Sequence, residues 1–158
     1  MKTVILIRHS KAEPGAAGQD DATRSLTMRG RAAADALGGW LRETGWVPDL
    51  ILCSPASRTR ETLSEMAFES DLEVRKEIYE AKTDDLMQIL QDAEGETILL
   101  VGHNPAIGDL AHVLVSSAPD HPRWETYPTS AASVIRFHED VEPGAGELVE
   151  FVTPQDLV

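Results

Sequence analysis

Val4-Ile5-Leu6-Ile7-Arg8-His9 sets four apolar residues directly before a cation and an imidazole. An unbroken apolar run of this length, bounded by polar residues, predicts a strand buried on both faces, the kind found at the centre of a parallel sheet. Two further runs repeat the pattern. Leu50-Ile51-Leu52-Cys53 precedes Arg58 and Arg60, and Ile98-Leu99-Leu100-Val101-Gly102 precedes His103. Each predicted strand therefore delivers a His or Arg just past its carboxyl end. In open α/β sheets that edge is where ligands bind.

Between the strands the apolar period changes to that of helices. Ala33, Ala36, Leu37, Trp40 and Leu41 predict a helix over about 28–44, with Thr27 as its N-cap. Further helices are predicted over about 57–68 and 84–93. Another is opened by Asn104 as N-cap and Pro105 as first helical residue. Strands are predicted at about 3–8, 49–53, 72–75, 97–101, 132–138 and 147–152, the last two forming a hairpin around Pro143–Gly146. The segments Glu13–Asp21 and Ser116–Thr129 read as loops, the first of them small, polar and mobile. The expected architecture is α/β: a three-layer α/β/α sandwich with a mainly parallel sheet and antiparallel edge strands. No linker divides the apolar pattern, so one domain over 1–158 is expected.

The net charge of −13 argues against nucleic acid or an anionic membrane as partner. No apolar stretch approaches the roughly 20 residues of a membrane span. A predicted strand follows the N-terminal methionine without the features of a signal peptide, so a cytoplasmic location is expected. The single cysteine, Cys53, excludes an internal disulfide framework. On so acidic a chain, a phosphate site must be a local concentration of cations, and Arg8, Lys11, Arg58 and Arg60 are the candidates.

His9 at a strand end can act as a nucleophile through one ring nitrogen while a backbone carbonyl holds the other. A phosphoryl group transferred to it must be held in line and neutralised, which suits the forked donors of Arg8 and Arg58. Arg58 also sits at a predicted helix N-terminus, which favours an anion. Arg60 is read as a surface charge, with Glu61 or Glu65 as ion-pair partners for the two arginines. His103 is expected to contribute a second imidazole and to take up a proton when a dianion binds.

Arg8-His9-Ser10-Lys11-Ala12, Arg24-Ser25-Leu26-Thr27-x-x-Gly30, Ser54-Pro55-x-x-Arg58-Thr59-x-x-Thr62 and Gly102-His103-Asn104-Pro105, taken in order, resemble the histidine phosphatase superfamily, with its phosphoglycerate mutase-like fold. The short length and the first of these motifs resemble its bacterial phosphohistidine phosphatase branch, the SixA type. Ser10 and Ser25 stand where the family more often has glycine and proline. The resemblance implies a phosphatase that forms a phosphoenzyme on His9, with Arg8, Arg58 and His103 around the phosphoryl group. It implies Glu80 as proton donor, no cofactor or metal, and a phosphorylated protein or small phosphorylated molecule as substrate. With no room for large lid insertions, an open, shallow site is expected.

Other readings compete. A small-molecule phosphomonoesterase of the same fold and a non-catalytic phospho-ligand binding module both use the same pocket. A cysteine phosphatase needs Cys-x₅-Arg, but four residues separate Cys53 from Arg58 and six separate it from Arg60. A metallohydrolase would draw on His9, His103, His112, His121 and His138, but no two of these share an i, i+4 or His-x-His spacing.

Overall fold

A computed structural model describes all 158 residues. Its strands are β1 (Lys2–Arg8), β2 (Leu50–Cys53), β3 (Asp71–Val74), β4 (Thr97–Gly102), β5 (Ala132–Phe137) and β6 (Glu147–Val152). Its helices are α1 (Met28–Glu43), α2 (Ser57–Met66), α3 (Thr83–Asp92) and α4 (Ala106–Leu114), with short 3₁₀ turns at 21–23, 76–78 and 154–157. The strands form one sheet in the order β3-β2-β4-β1-β5-β6. The first four run parallel, while β5 is antiparallel to β1 and β6 to β5.

Side-chain alternation along the central strands explains the unbroken apolar runs. Val4, Leu6, Ile98 and Leu100 enter the core shared with α3 and α4. Ile5, Ile7, Leu99 and Val101 enter the core shared with α1 and α2. Each face is thus covered by a helical pair, and two-sided burial requires both sets of positions to be apolar. On the α1/α2 face, a Cβ at Gly38 would lie 2.6 Å from the Met66 backbone, so the crossing of α1 and α2 requires a glycine there. No helix is long and apolar enough to cross a membrane.

Thr27 caps α1 as expected, its hydroxyl oxygen accepting from the Gly30 amide at 2.9 Å. Two helix ends differ from the sequence reading. α2 stops at Met66 because Ala67 turns left-handed (φ 58°) and caps it, a position usually taken by glycine. α4 starts at Ala106, with Pro105 at the cap position. Asn104 still serves the helix, accepting from the Gly108 amide at 3.0 Å, but its side-chain NH₂ is drawn to the Tyr127 carbonyl at 2.9 Å.

Candidate active site

The carboxyl ends of β1, β2 and β4 lie side by side. Arg8 pairs in register with Gly102, and Cys53 with Val101. The chain leaves β1 as Arg8-His9, β4 as Gly102-His103 and β2 as Ser54, whose continuation opens α2 and Arg58. Two backbone bonds extend the ladder past the strands, from His9 N to Gly102 O and from Ser54 N to Val101 O. The imidazoles of His9 and His103 come within 5.4 Å of one another, centroid to centroid.

His9 is 8% exposed, and its Nδ1 lies 2.7 Å from the Ser10 carbonyl oxygen. A carbonyl only accepts, so Nδ1 carries the hydrogen and Nε2 keeps its lone pair. Burial pushes the His9 pKa down to about 4, and the charges of Arg58 and Arg8 add to the effect. His103 is pushed down to about 3, first by burial and then by His9 and Arg58. Both rings are neutral near pH 7. His103 Nε2 lies 2.8 Å from Ser54 Oγ, which accepts from the Ala56 amide at 3.3 Å. The Ser54 oxygen keeps a second lone pair, so its hydroxyl can donate to Nε2 or accept from it; an anion beside Nδ1 selects the form with the ring hydrogen on Nδ1 and the Ser54 hydroxyl donating to Nε2. A neutral His103 can then donate to an anion, so the protonation expected from the sequence is not required for that contact.

The two arginines are tied in parallel ways. Arg8 Nη1 donates to the Tyr127 carbonyl at 3.2 Å, and Arg58 Nη1 to the Asp21 carbonyl at 2.9 Å. Arg58 Nη2 also donates to Asp21 Oδ2 at 3.0 Å. Three buried side-chain nitrogens in the molecule lack a partner: Arg8 Nε, Arg58 Nε and His103 Nδ1. Each such donor costs about 1–3 kcal/mol to bury unpaired, and this cost is tolerated where a ligand or catalytic role compensates.

Motif residues that carry no charge hold this frame. The Ser10 amide donates to Thr62 Oγ1 at 2.9 Å, and the Thr62 hydroxyl donates to the Arg58 carbonyl at 2.7 Å, tying the β1 exit to α2. Thr59 donates to the Ser54 carbonyl at 2.8 Å. A Cβ at Gly30 would collide with the Lys11 carbonyl, which accounts for glycine at that motif position. Arg24 reaches back to the Glu13 carbonyl at 2.8 Å and to Asp21 Oδ1 at 3.0 Å.

Several expectations change. Glu80 is exposed and makes no hydrogen bond or ion pair with the converging groups; its neighbour Tyr79 does reach them. The Tyr79 ring stands edge-on to His103 at 5.5 Å, and its hydroxyl donates to Asp21 Oδ2. Arg58 pairs with Asp21, while Glu61 and Glu65 pair with Arg31. The 13–21 loop is joined to the site through Asp21 rather than standing apart from it. The Asp21–Tyr79 bond places the Tyr79 ring next to both His103 and the Arg58 guanidinium.

The 116–129 loop packs Trp124 and Tyr127 into the core and aims the Tyr127 carbonyl at Arg8. Tyr127 and Ser130 hold positive φ (46° and 63°), and the Ser130 amide donates to the carbonyls of both Arg8 and His9. Strained backbone of this kind gathers at functional sites. Sequence reading had no signal for it, since neither residue is glycine.

The remaining candidates lie elsewhere. His112 bonds the Trp124 carbonyl, His121 bonds Asp156, and His138 is exposed. Arg60 and Cys53 line a separate cavity of 610 Å³ between α2 and the β3 edge. Burial pushes the Cys53 thiol up to about 12, the opposite of an activated nucleophile.

Comparisons with known proteins give the family of the chain. Residues 4–89 match the family model for the histidine phosphatase superfamily, branch 1. An uncharacterized protein of Mycobacterium tuberculosis is 34% identical over 160 residues, covering 94% of this chain and 100% of its own. A phosphohistidine phosphatase SixA homolog of Haemophilus influenzae is 32% identical over 122 residues, covering 68% of this chain and 73% of its own. A structure described as a candidate phosphohistidine phosphatase SixA from Nakamurella multipartitia superposes with a TM-score of 0.83 at 27% identity, covering 97% of this chain and 96% of its own.

Proposed function

Because this chain belongs to the histidine phosphatase superfamily, branch 1, and is a phosphatase of phosphoglycerate mutase-like fold, we propose that it removes the phosphoryl group from phosphohistidine in a protein, through a phosphoenzyme on His9. The carrying observation is that the unpaired buried nitrogens belong to Arg8, Arg58 and His103, at the end of β1, in the first turn of α2 and just past β4. They are donors waiting for an anion.

In this reading a phosphoryl dianion lies between them, its oxygens facing Arg8, Arg58 and His103. The Nε2 lone pair of His9 attacks phosphorus while the bond from phosphorus to the substrate imidazole breaks. The electron pair of that bond returns to the leaving nitrogen. If the other nitrogen of the substrate ring carries a proton, the ring departs neutral. His9 keeps the Nδ1 hydrogen, and the Ser10 carbonyl faces the positive charge that develops on the ring. Water then attacks phosphorus, the P–Nε2 bond breaks with its electron pair returning to Nε2, His9 returns neutral, and phosphate leaves as H₂PO₄⁻ carrying both hydrogens of the water.

The choice of a P–N bond over an alkyl ester rests on the want of a proton donor. The carboxyl that touches the site, Asp21, is held well below the usual carboxylate range by the Tyr79 hydroxyl and by Arg58, so it is ionised at neutral pH. An alkoxide leaving group needs an acid beside it; a protonated imidazole does not. The H. influenzae relative, named a phosphohistidine phosphatase SixA homolog, supports the same substrate class, and a cytoplasmic location fits such a role.

The test is incubation with a ³²P-phosphohistidine protein. Wild type should release phosphate and carry an acid-labile label, and His9→Ala should do neither. Hydrolysis by His9→Ala at the wild-type rate sinks the mechanism; binding of the phosphoprotein with neither label nor turnover would favour a binding module.

A further inference from the structure

Asp21 is a carboxylate on the guanidinium that an anionic substrate has to reach. It is 53% exposed, whereas the Arg58 side chain is 8% exposed. One explanation is competition, with Asp21 occupying the place of the phosphoryl group until displaced. The identity of the engaged atoms argues otherwise. A guanidinium offers an end-on edge, Nη1 with Nη2, and a side-on edge, Nε with the second hydrogen of Nη2. Asp21 takes the end-on edge with its carbonyl and its Oδ2. The side-on edge is left, and Arg58 Nε is one of the unpaired buried nitrogens. Arg8 repeats the arrangement, with Nη1 on a carbonyl and Nε unpaired.

Asp21 is itself held from two sides. Arg24 donates to Oδ1 at 3.0 Å, and the Tyr79 hydroxyl donates to Oδ2. Tyr79 follows the 76–78 turn, so its bond to Asp21 joins two loops on either side of Arg58. The Arg58 guanidinium carbon lies 6.0 Å from the Tyr79 ring centroid, which closes off the face of the fork.

We propose that Asp21 is a positioning residue. It anchors the end-on edge of Arg58, locked by Arg24 and Tyr79, so that the side-on edge faces the phosphoryl group. This rests on the active-site reading above. The loop between β1 and α1 is on this account part of the anion site, and Arg24 of the Arg-Ser-Leu-Thr stretch acts through Asp21.

The experiment measures inhibition of 4-nitrophenyl phosphate hydrolysis by inorganic phosphate in the full-length protein. Removing a negative charge near an anion site by itself favours the anion. Weakened phosphate binding in Asp21→Ala therefore identifies lost geometry. The expected result is a Ki raised about 10-fold in Asp21→Ala, with KM raised in proportion. Asp21→Asn keeps an oxygen for Nη2 and should stay within about 3-fold of wild type or bind phosphate more tightly. Tyr79→Phe, which removes one hydroxyl and keeps the ring, should raise Ki by about 3-fold and stands in should Asp21→Ala fold poorly. Phosphate binding by Asp21→Ala as tight as or tighter than wild type overturns the proposal. His9→Ala in parallel separates the two failures. If it is inert while Asp21→Ala binds phosphate normally, only the role of Asp21 falls. If His9→Ala is fully active, the site itself has been misread.

Discussion

His9 and His103 stand 5.4 Å apart, centroid to centroid, at the ends of two strands paired in register, and neither ring carries a charge near neutral pH. Burial is the main cause for both, and each arginine that serves the anion site also makes a protonated His9 less favourable. The proposed nucleophile is thus ready at neutral pH without a separate base. Folded pKa values below the ordinary one mean that the unfolded chain binds protons first as pH falls. The stability associated with neutral rings is complete above about pH 6.5, and it is lost as pH drops toward about 4 for His9 and 3 for His103. In an NMR titration, two of the five histidine C2–H resonances should hold their neutral shifts down to pH 5, and His9→Ala should delete one of them. A His9 or His103 resonance titrating near 6.5 would contradict the burial argument.

Ser54→Ala tests the orientation of His103. The Ser54 hydroxyl is fully buried and joins the Ala56 amide to His103 Nε2. Without it, Nε2 has no partner and the hydrogen is no longer directed to Nδ1. The expected outcome is a loss of about 10-fold in kcat/KM, with orienting partners of this kind worth 10–100-fold elsewhere. Unchanged kinetics would mean that His103 is oriented by packing alone.

The architecture was legible because two-sided burial writes itself as unbroken apolar runs. Val4–Ile7 and Ile98–Val101 announced central strands, and their last residues announced the site. Arg8, His9, Arg58 and His103 could be grouped because each follows the carboxyl end of an apolar run and because their motifs resemble one family. Asp21 and Tyr79 could not, since each is one polar residue in an irregular segment and its partner lies 58 residues away. Glu80 was named on resemblance alone, and which of the adjacent side chains Tyr79 and Glu80 turns inward depends on a 3₁₀ turn that sequence does not fix. Tyr127 and Ser130 were hidden for another reason: their left-handed backbone is imposed by the bonds they make to Arg8 and His9, not by their own preference.

The misread end of α2 yields a stability prediction. Ala67 adopts φ 58° as the cap, with its side chain exposed, and so carries a steric penalty without a packing gain. Ala67→Gly removes that penalty, worth about 1 kcal/mol, less the added freedom of the unfolded chain. A higher urea midpoint at unchanged m-value is expected. A lower midpoint would show that the methyl group contributes packing at the neighbouring cavity.

Cys53→Ser separates this chemistry from thiol chemistry. Cys53 is fully buried on β2, with a pKa pushed up to about 12, so the native protein holds almost no thiolate at pH 8. Iodoacetamide should leave wild-type activity intact, and Cys53→Ser should retain turnover while losing roughly 1–2 kcal/mol of stability from a buried hydroxyl in an apolar setting. Rapid inactivation by alkylation without unfolding would reopen the thiol reading.

Glu80→Gln decides how the leaving group is protonated. The carboxylate is exposed and unpaired, so the substitution removes one charge and breaks no contact in the structure. A proton donor in the transition state contributes about 10²–10⁴-fold, and most to the poorest leaving groups. If the substrate imidazole brings its own proton, Glu80→Gln should keep kcat/KM within about 3-fold of wild type on a phosphohistidine peptide, since surface substitutions of this kind are near neutral. An alkyl phosphate should be a slow substrate for both proteins, because neither offers an acid to its alkoxide. A fall of 10-fold or more on the alkyl ester alone would instead make Glu80 a donor that swings inward with substrate, and would move the substrate class from phosphohistidine toward phosphomonoesters.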